Sequence, residues 1–557
     1  MPAAPAPRFP VGATLLLLLA GTPLLWALGS TFTDWAQTAA WAALWQHPQT
    51  LPALGMTLWT GLCATLISTG ITAFMLGRWL AAPGTGHLSG DWARWLSPLL
   101  SVPHAAFAIG MVALIAPGGW LLRLVSPWPS GLELPPAWST TQDPWGLGLI
   151  AALVLKEIPF LLWAAWAHVQ QPGVQAQLRQ SLRLAALWGY TDAQAWWRIG
   201  WPQLVRALRA PLLAVLAYSL TVVDMALIIG PTTPPTLAML TWQWLQDADP
   251  ATNAVGASAA WLLTLLLLVT AAGWAGWRAW PLWRQRQVRG VRFSPGVSKA
   301  AKPSASRRPL SVLLGIYAAV LGALALGSVS GPWPFPKLLP EVWTLQAWTG
   351  VLQSSGTVWT TLGLGLCSAA AALVWVVAWL EWVPPRWQQR LRPLWMLPLV
   401  LPAVLWVVGL HRLSIAWGLD GRAIGLWLAH TLSALPYVLI ALQGPYGAVD
   451  GRLARVSATL GRSRAAFLWH VKWPLLRSAL AAALAVGFAV SVAQYLPTLY
   501  VGAGRFQTVT TEAVTLASGG QRALTAAFAW LQWLLPMLMF GLAAWWGRPR
   551  RWPAAAQ

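Results

Sequence analysis

Two stretches far apart in the chain superpose without a gap, and their residue types suit docking better than bond-making. The first runs Arg183-Leu-Ala-Ala-Leu-Trp-Gly189 and continues as Trp197-Arg-Ile-Gly-Trp201-Pro202-Gln-Leu204. The second runs Arg455-Val-Ser-Ala-Thr-Leu-Gly461 and continues as Trp469-His-Val-Lys-Trp473-Pro474-Leu-Leu476. The glycine-to-proline spacing is the same in both, and Trp197/Trp469 and Trp201/Trp473 fall between them in register. No catalytic set accompanies them. A phosphate-cradling loop needs Gly-Lys followed by Ser or Thr, and the chain has no Gly-Lys dipeptide. Histidines such as His104 and His430 are scattered, fit packed or hydrogen-bonded roles, and form no Ser/His/Asp or Cys/His arrangement.

Ionisable groups inside apolar runs are the other candidates, because a charge at membrane depth is costly and usually functional. Lys156 and Glu157 sit near the middle of one run beside Pro159, and Asp224 lies late in the next. The second half offers Ser433, Ala434 and Gln494 at roughly matching places, with Pro436 opposite Pro159. Glu157 and Asp224 favour a cationic solute if they face a path, and are structural if they pair with Lys156 across helices. The two prolines can act as flex points beside that path or simply shape packing. Each removes a backbone bond, and a neighbouring helix can re-satisfy the freed carbonyl.

The elements that position these residues are membrane spans. The chain is 57% hydrophobic and 9% charged, with apolar runs near the ~20 residues that cross a bilayer as a helix. They lie at 12–30, 54–76, 95–117, 146–168, 208–230 and 256–280, then at 310–330, 357–380, 394–416, 425–446, 478–501 and 523–546. Six and six predict an all-α integral membrane protein of about twelve helices in two parallel repeats, 1–280 and 310–557. The halves are further matched by Pro103 with Gly110 against Pro402 with Gly409, and by Gly230 against Gly502. The first run could pass for a secretory signal, yet the repeat needs it as a helix. Residues 281–309 carry eight Lys and Arg and no acid, and read as a basic linker.

The net charge of +22 would suggest nucleic acid in a soluble protein, but here it sorts by side. With both termini in the cytoplasm, one face keeps only Arg123, Lys337, Arg412, Arg422, Arg505 and Arg522, as the positive-inside rule expects. The duplicated stretches then fall in cytoplasmic loops, about 170–206 and 447–477, where Gly189 and Gly461 permit sharp turns and Pro202 and Pro474 reset the chain direction. An amphipathic helix lying on lipid headgroups is the other reading of such a loop. Two faithful copies favour a protein-docking element. Cys63 and Cys367 are too few for a disulfide framework or a metal site and fit as small packing residues.

The duplicated pattern resembles the EAA loop of type I permeases of ATP-binding-cassette importers: Glu-Ala-Ala, three residues, Gly, nine residues, Ile-x-Leu-Pro. Ala185, Gly189, Ile199 and Pro202 match in the first half, and Gly461, Val471 and Pro474 in the second. The whole layout is similar to the fused two-unit permeases of ferric-iron, thiamine and YnjC-like importers. That resemblance implies a coupling helix in each loop, seated in a groove of one of two cytoplasmic ATPase subunits that hold the ATP and Mg. It also implies an external solute-binding protein, a bacterial inner-membrane location, no cofactor on this chain, and a small cationic solute such as thiamine or ferric iron. Arg183 and Arg455 stand where the family has Glu, and Trp201 and Trp473 where it has Leu. Either a carboxylate faces each Arg in the ATPase groove, or the acidic position is dispensable here.

Two other classes fit the helix count. An ion-gradient carrier of six plus six helices would carry a short basic cluster between its second and third helices, which the segment from Gly77 to Arg94 lacks. A membrane enzyme acting on a lipid-linked substrate would need a recognisable acidic set, which Glu133, Asp143, Asp247 and Asp249 do not make.

Overall fold

In a bilayer every backbone polar group must be satisfied within the protein, so the apolar runs fold as helices. The computed structural model describes residues 11–80, 96, 98–171, 173–279 and 308–548, and among them the chain is helical with no strand. Nine of the described helices are long and apolar enough to span a membrane, and the number is twelve if three bent pairs each count as one. The chain is thus an all-α integral membrane protein with two parallel six-helix repeats. The linker 281–309 lies outside the described residues except for Arg308 and Pro309, which open the helix Arg308–Ser328.

One bent pair falls inside a run that reads as continuous in the sequence, and the other two bend at or just before the start of a run. Pro385–Val400 and Ala403–Ala416 meet at 102°. Leu401 precedes Pro402 and has ψ 147°, the extended conformation that a following proline enforces. The fifth span of each half bends too, by 74° and 76°, at Leu208 (φ −84°, ψ 12°) and Leu476 (φ −90°, ψ 3°). This corrects the reading of Pro202 and Pro474 as the points where the chain turns. Both prolines lie in the first turn of a helix and follow a wide π-helical turn, Trp196–Gly200 or Leu468–Lys472. The proline ring normally clashes with the carbonyl four residues back. Here Trp201 and Trp473 already bond five residues back, to Trp196 and Leu468, and that widened turn accommodates the ring.

The described residues pack as two compact units. One takes in 34–348 and 516–527. Within it, Gly110 on the helix His104–Ile115 meets Val320 on the helix Arg308–Ser328, where a Cβ would stand 2.6 Å from Val320 Cγ1. The other takes in 11–33, 349–515 and 528–548, and there Gly409 lies against the backbone of Ala27, whose carbonyl oxygen a Cβ would strike. Small residues let membrane helices approach this closely. Each unit therefore draws its first helix from the other sequence half, so the packing units and the sequence repeats are different partitions of the chain.

Pro159 lies inside the helix Leu147–Val169, buried, and leaves the carbonyl of Leu155 without its helical donor. Tyr317 of the helix Arg308–Ser328 fills the gap: its hydroxyl donates to Leu155 O at 3.1 Å. Tyr317→Phe should cost about 1–3 kcal/mol, the usual penalty for a buried polar group left unpaired. The check is thermal unfolding in detergent as a double-mutant cycle. In a Pro159→Ala background, where the restored N–H bonds Leu155, the same change should cost much less.

Candidate functional site

The helix Val174–Leu187 leads into the first duplicated segment and ends in a Schellman turn. Gly189 N–H donates to Ala186 O (3.0 Å) and Tyr190 N–H to Ala185 O (3.1 Å). Gly189 has φ +80°, a left-handed conformation that costs other residues about 1–2 kcal/mol. Two residues on, Thr191 caps the next helix, accepting from Gln194 N–H, while the Gln194 side chain returns to Thr191 N–H. The π-helical turn and Trp201-Pro202 follow, with Trp197 edge-on to Trp201 at 6.5 Å.

The glycine turn, the cap, the π-helical turn and the Trp-Pro recur 272 residues later. The helix Gly451–Thr459 ends at Gly461, φ +71°, where Gly461 N–H donates to Ala458 O (3.0 Å) and Arg462 N–H to Ser457 O (3.1 Å). Ser463 caps the next helix through Ala466 N–H. The π-helical turn Leu468–Lys472 leads to Trp473-Pro474, and Trp469 stands edge-on to Trp473 at 4.5 Å. The copies differ in the bend, six residues after Pro202 but two after Pro474, and in the cap, where Ala466 has no side chain to return as Gln194 does.

Burial sorts the named residues. Ala185 and its counterpart Ser457 face inward, Ile199, Trp201, Val471 and Trp473 are half-buried, and Arg183 and Arg455 are both exposed. Beside the arginines the structure exposes an apolar row absent from the sequence motif. Leu187 and Trp188 are 83% and 79% exposed with Leu184 alongside, and in the second copy Leu460 is 74% exposed with Val456 alongside. The i, i+3, i+4 spacing of Leu184, Leu187 and Trp188 was the available signal, because it places all three on one helix face.

The first copy is pinned by Trp196, which is 2% exposed. Its indole donates to Ala73 O at 2.9 Å, and its ring is clasped by two glycines. A Cβ at Gly77 would lie 2.6 Å from Trp196 Cδ1, and one at Gly200 would lie 2.6 Å from Cε3.

Glu157 and Pro159 are buried in the helix Leu147–Val169, and Lys156 turns its ammonium to Val102 O at 2.6 Å. Asp224 opens the short helix Asp224–Ile229 and accepts from the Tyr218 hydroxyl at 3.3 Å, with the Tyr218 ring 4.4 Å from that of His104. In the other unit Pro436 is buried within the helix Ala423–Gly447, and Gln494 closes the helix Arg477–Ala493. The 272-residue register matches Gln494 to Val222 and Asp224 to Leu496. Both therefore lie at the same break in the fifth span, two positions apart rather than equivalent. His430 is fully buried, hydrogen-bonded to Ser491 Oγ (2.8 Å) and Thr498 Oγ1 (3.0 Å).

No family model matches the chain. It is 36% identical over 554 residues to the inner membrane ABC transporter permease protein YnjC of Escherichia coli (strain K12), covering 94% of this chain and 97% of that one. The chain belongs to the ABC transporter permease family. Over 132 residues it is also 34% identical to the molybdenum transport system permease proteins ModB of Mycobacterium tuberculosis and Mycobacterium bovis, a match spanning 22% of this chain and half of theirs.

The permease is a multi-pass inner-membrane protein and a transport component rather than a catalyst, of a kind that works with an ATPase and a solute-binding protein. Its two duplicated segments each join the fourth span of a repeat to the fifth.

Proposed function

We propose that the permease forms the translocation pathway of a binding-protein-dependent importer and that each repeat, 1–280 and 310–557, presents one coupling helix to one of two cytoplasmic ATPase subunits. The observation that carries this reading is the duplicated turn: the same glycine, cap, π-helical turn and Trp-Pro, 272 residues apart, each beside an exposed apolar row. Exposed apolar rows mark interaction sites, and Trp and Arg are among the residues enriched in docking hot spots. In this reading Leu184, Leu187, Trp188, Val456 and Leu460 enter the ATPase grooves and Arg183 and Arg455 meet carboxylates there. Gly189, Pro202, Gly461 and Pro474 keep the elbow rigid. ATP and Mg belong to the partner, and both termini are cytoplasmic.

Glu157 and Asp224 support a small cationic solute such as thiamine or ferric iron. The molybdenum named for the partial relatives rests on 132 residues and explains neither acid. The pathway assignment extends to Pro159, Pro436 and Gln494 on the fourth and fifth spans.

The test is co-purification with the ATPase. Trp188→Asp with Leu460→Asp should reduce the ATPase recovered by at least about tenfold, the loss expected when two hot-spot side chains are replaced by desolvated charges, with membrane insertion unchanged. Recovery at the parent level would overturn the docking assignment.

A further inference from the structure

The two elbows share a backbone but are held in place by different forces. In the first, Trp196 sits between Gly77 and Gly200. The Gly-Leu-Cys at 61–63 aligns with that at 365–367, and the hydroxyls of Thr57 and Thr361 accept from the equivalent Leu237 N–H (2.7 Å) and Val509 N–H (2.9 Å). That register places Glu381 at the position of Gly77, while the 272-residue register of the loop places Leu468 and Lys472 at those of Trp196 and Gly200. Two glycines have become an acid and a base, and the tryptophan between them a leucine.

The Glu381 carboxylate, 9% exposed, gathers three donors. Tyr446 donates its hydroxyl to Oε1 at 2.6 Å, Lys472 reaches the same oxygen, and Arg464 Nη2 donates to Oε2 at 3.1 Å. Lys472 also lies over the Tyr446 ring, 4.1 Å from its centroid, and the Trp473 indole donates to the Tyr446 hydroxyl at 3.3 Å. Arg464 opens the helix after the Ser463 cap, Lys472 ends the π-helical turn, and Tyr446 belongs to the fourth span. One carboxylate at the end of the helix Ser355–Trp382 thus ties both ends of the elbow's second limb to the body of its unit. A charge-assisted cluster of this kind fixes geometry through direction, whereas the Trp196 wedge fixes it through volume.

We infer that Glu381 is the positioning residue of the second coupling element, so that the two elbows are held unequally, the first by an apolar wedge and the second by a charge cluster. The inference rests on the docking role proposed above. Removing the charge frees the second elbow while the first stays pinned, which leaves the ATPase bound but poorly coupled.

The experiment reconstitutes the full transporter, with its ATPase and binding protein, in proteoliposomes and measures solute moved per ATP hydrolysed. Glu381→Gln should lower that ratio by about tenfold, as expected for a misplaced coupling group, with the ATPase still co-purifying. Glu381→Asp, which keeps the charge, should recover most of the ratio. If Glu381→Gln does not fold, Arg464→Gln, which leaves the Lys472 pair in place, should give an intermediate ratio. A parental ratio for Glu381→Gln or for Arg464→Gln overturns the inference, as does a ratio for Glu381→Asp no higher than that for Glu381→Gln. Proline at Gly189 and Gly461 separates the two claims. If those variants are inactive while Glu381→Gln is normal, only the inference fails; if they transport normally, the docking role itself fails.

Discussion

Proline at both Gly189 and Gly461 should reduce solute uptake at least about a hundredfold, because proline cannot adopt the backbone these turns require and a misplaced coupling group is costly. The glycines hold φ at +80° and +71°, whereas proline is locked near −65°. Each glycine N–H also donates to the carbonyl of Ala186 or Ala458, and proline has none to give. No atom lies within 4 Å of where a Cβ at Gly461 would stand, so the cost there comes from conformation rather than crowding. Alanine should therefore be milder, at about 1–2 kcal/mol per site, and should leave measurable uptake. Insertion should survive in the proline variants, since the turns lie between spans. Size-exclusion profiles and protease protection check insertion, and uptake into proteoliposomes checks function.

The second large effect is expected at Trp196. Removing a fully buried tryptophan leaves a cavity, and Trp196→Ala should cost about 3–5 kcal/mol, with early unfolding of the first elbow. The equivalent Leu468 is half-buried and sits beside a charge cluster, so Leu468→Ala should cost no more than about 1 kcal/mol. Thermal unfolding with limited proteolysis of the loop reads both. Equal losses at the two positions would contradict the unequal anchoring.

Much of this is legible in the sequence because it is written locally. The glycine, the cap position two residues on and the Trp-Pro repeat without insertion, and the spans announce themselves by length and apolarity. What is not legible depends on partners distant in the chain. Glu381 follows the run 357–380 and looks like the end of a span, and nothing nearby shows that Arg464 and Lys472 converge on it. The exchange of first helices leaves Gly110 and Gly409 as traces, each explained by a neighbour in the opposite repeat. Pro202 and Pro474 read as turning points because proline usually breaks a helix, but the π-helical turn before them removes the clash.

The most direct test labels single cysteines, Trp188→Cys and Leu460→Cys, in a permease lacking Cys63 and Cys367, using a membrane-impermeant thiol reagent. Both positions should be labelled only from the cytoplasmic side, and both should be protected once the ATPase is bound. Labelling from the outer side, or equal labelling with and without the ATPase, would contradict a pair of cytoplasmic docking elbows.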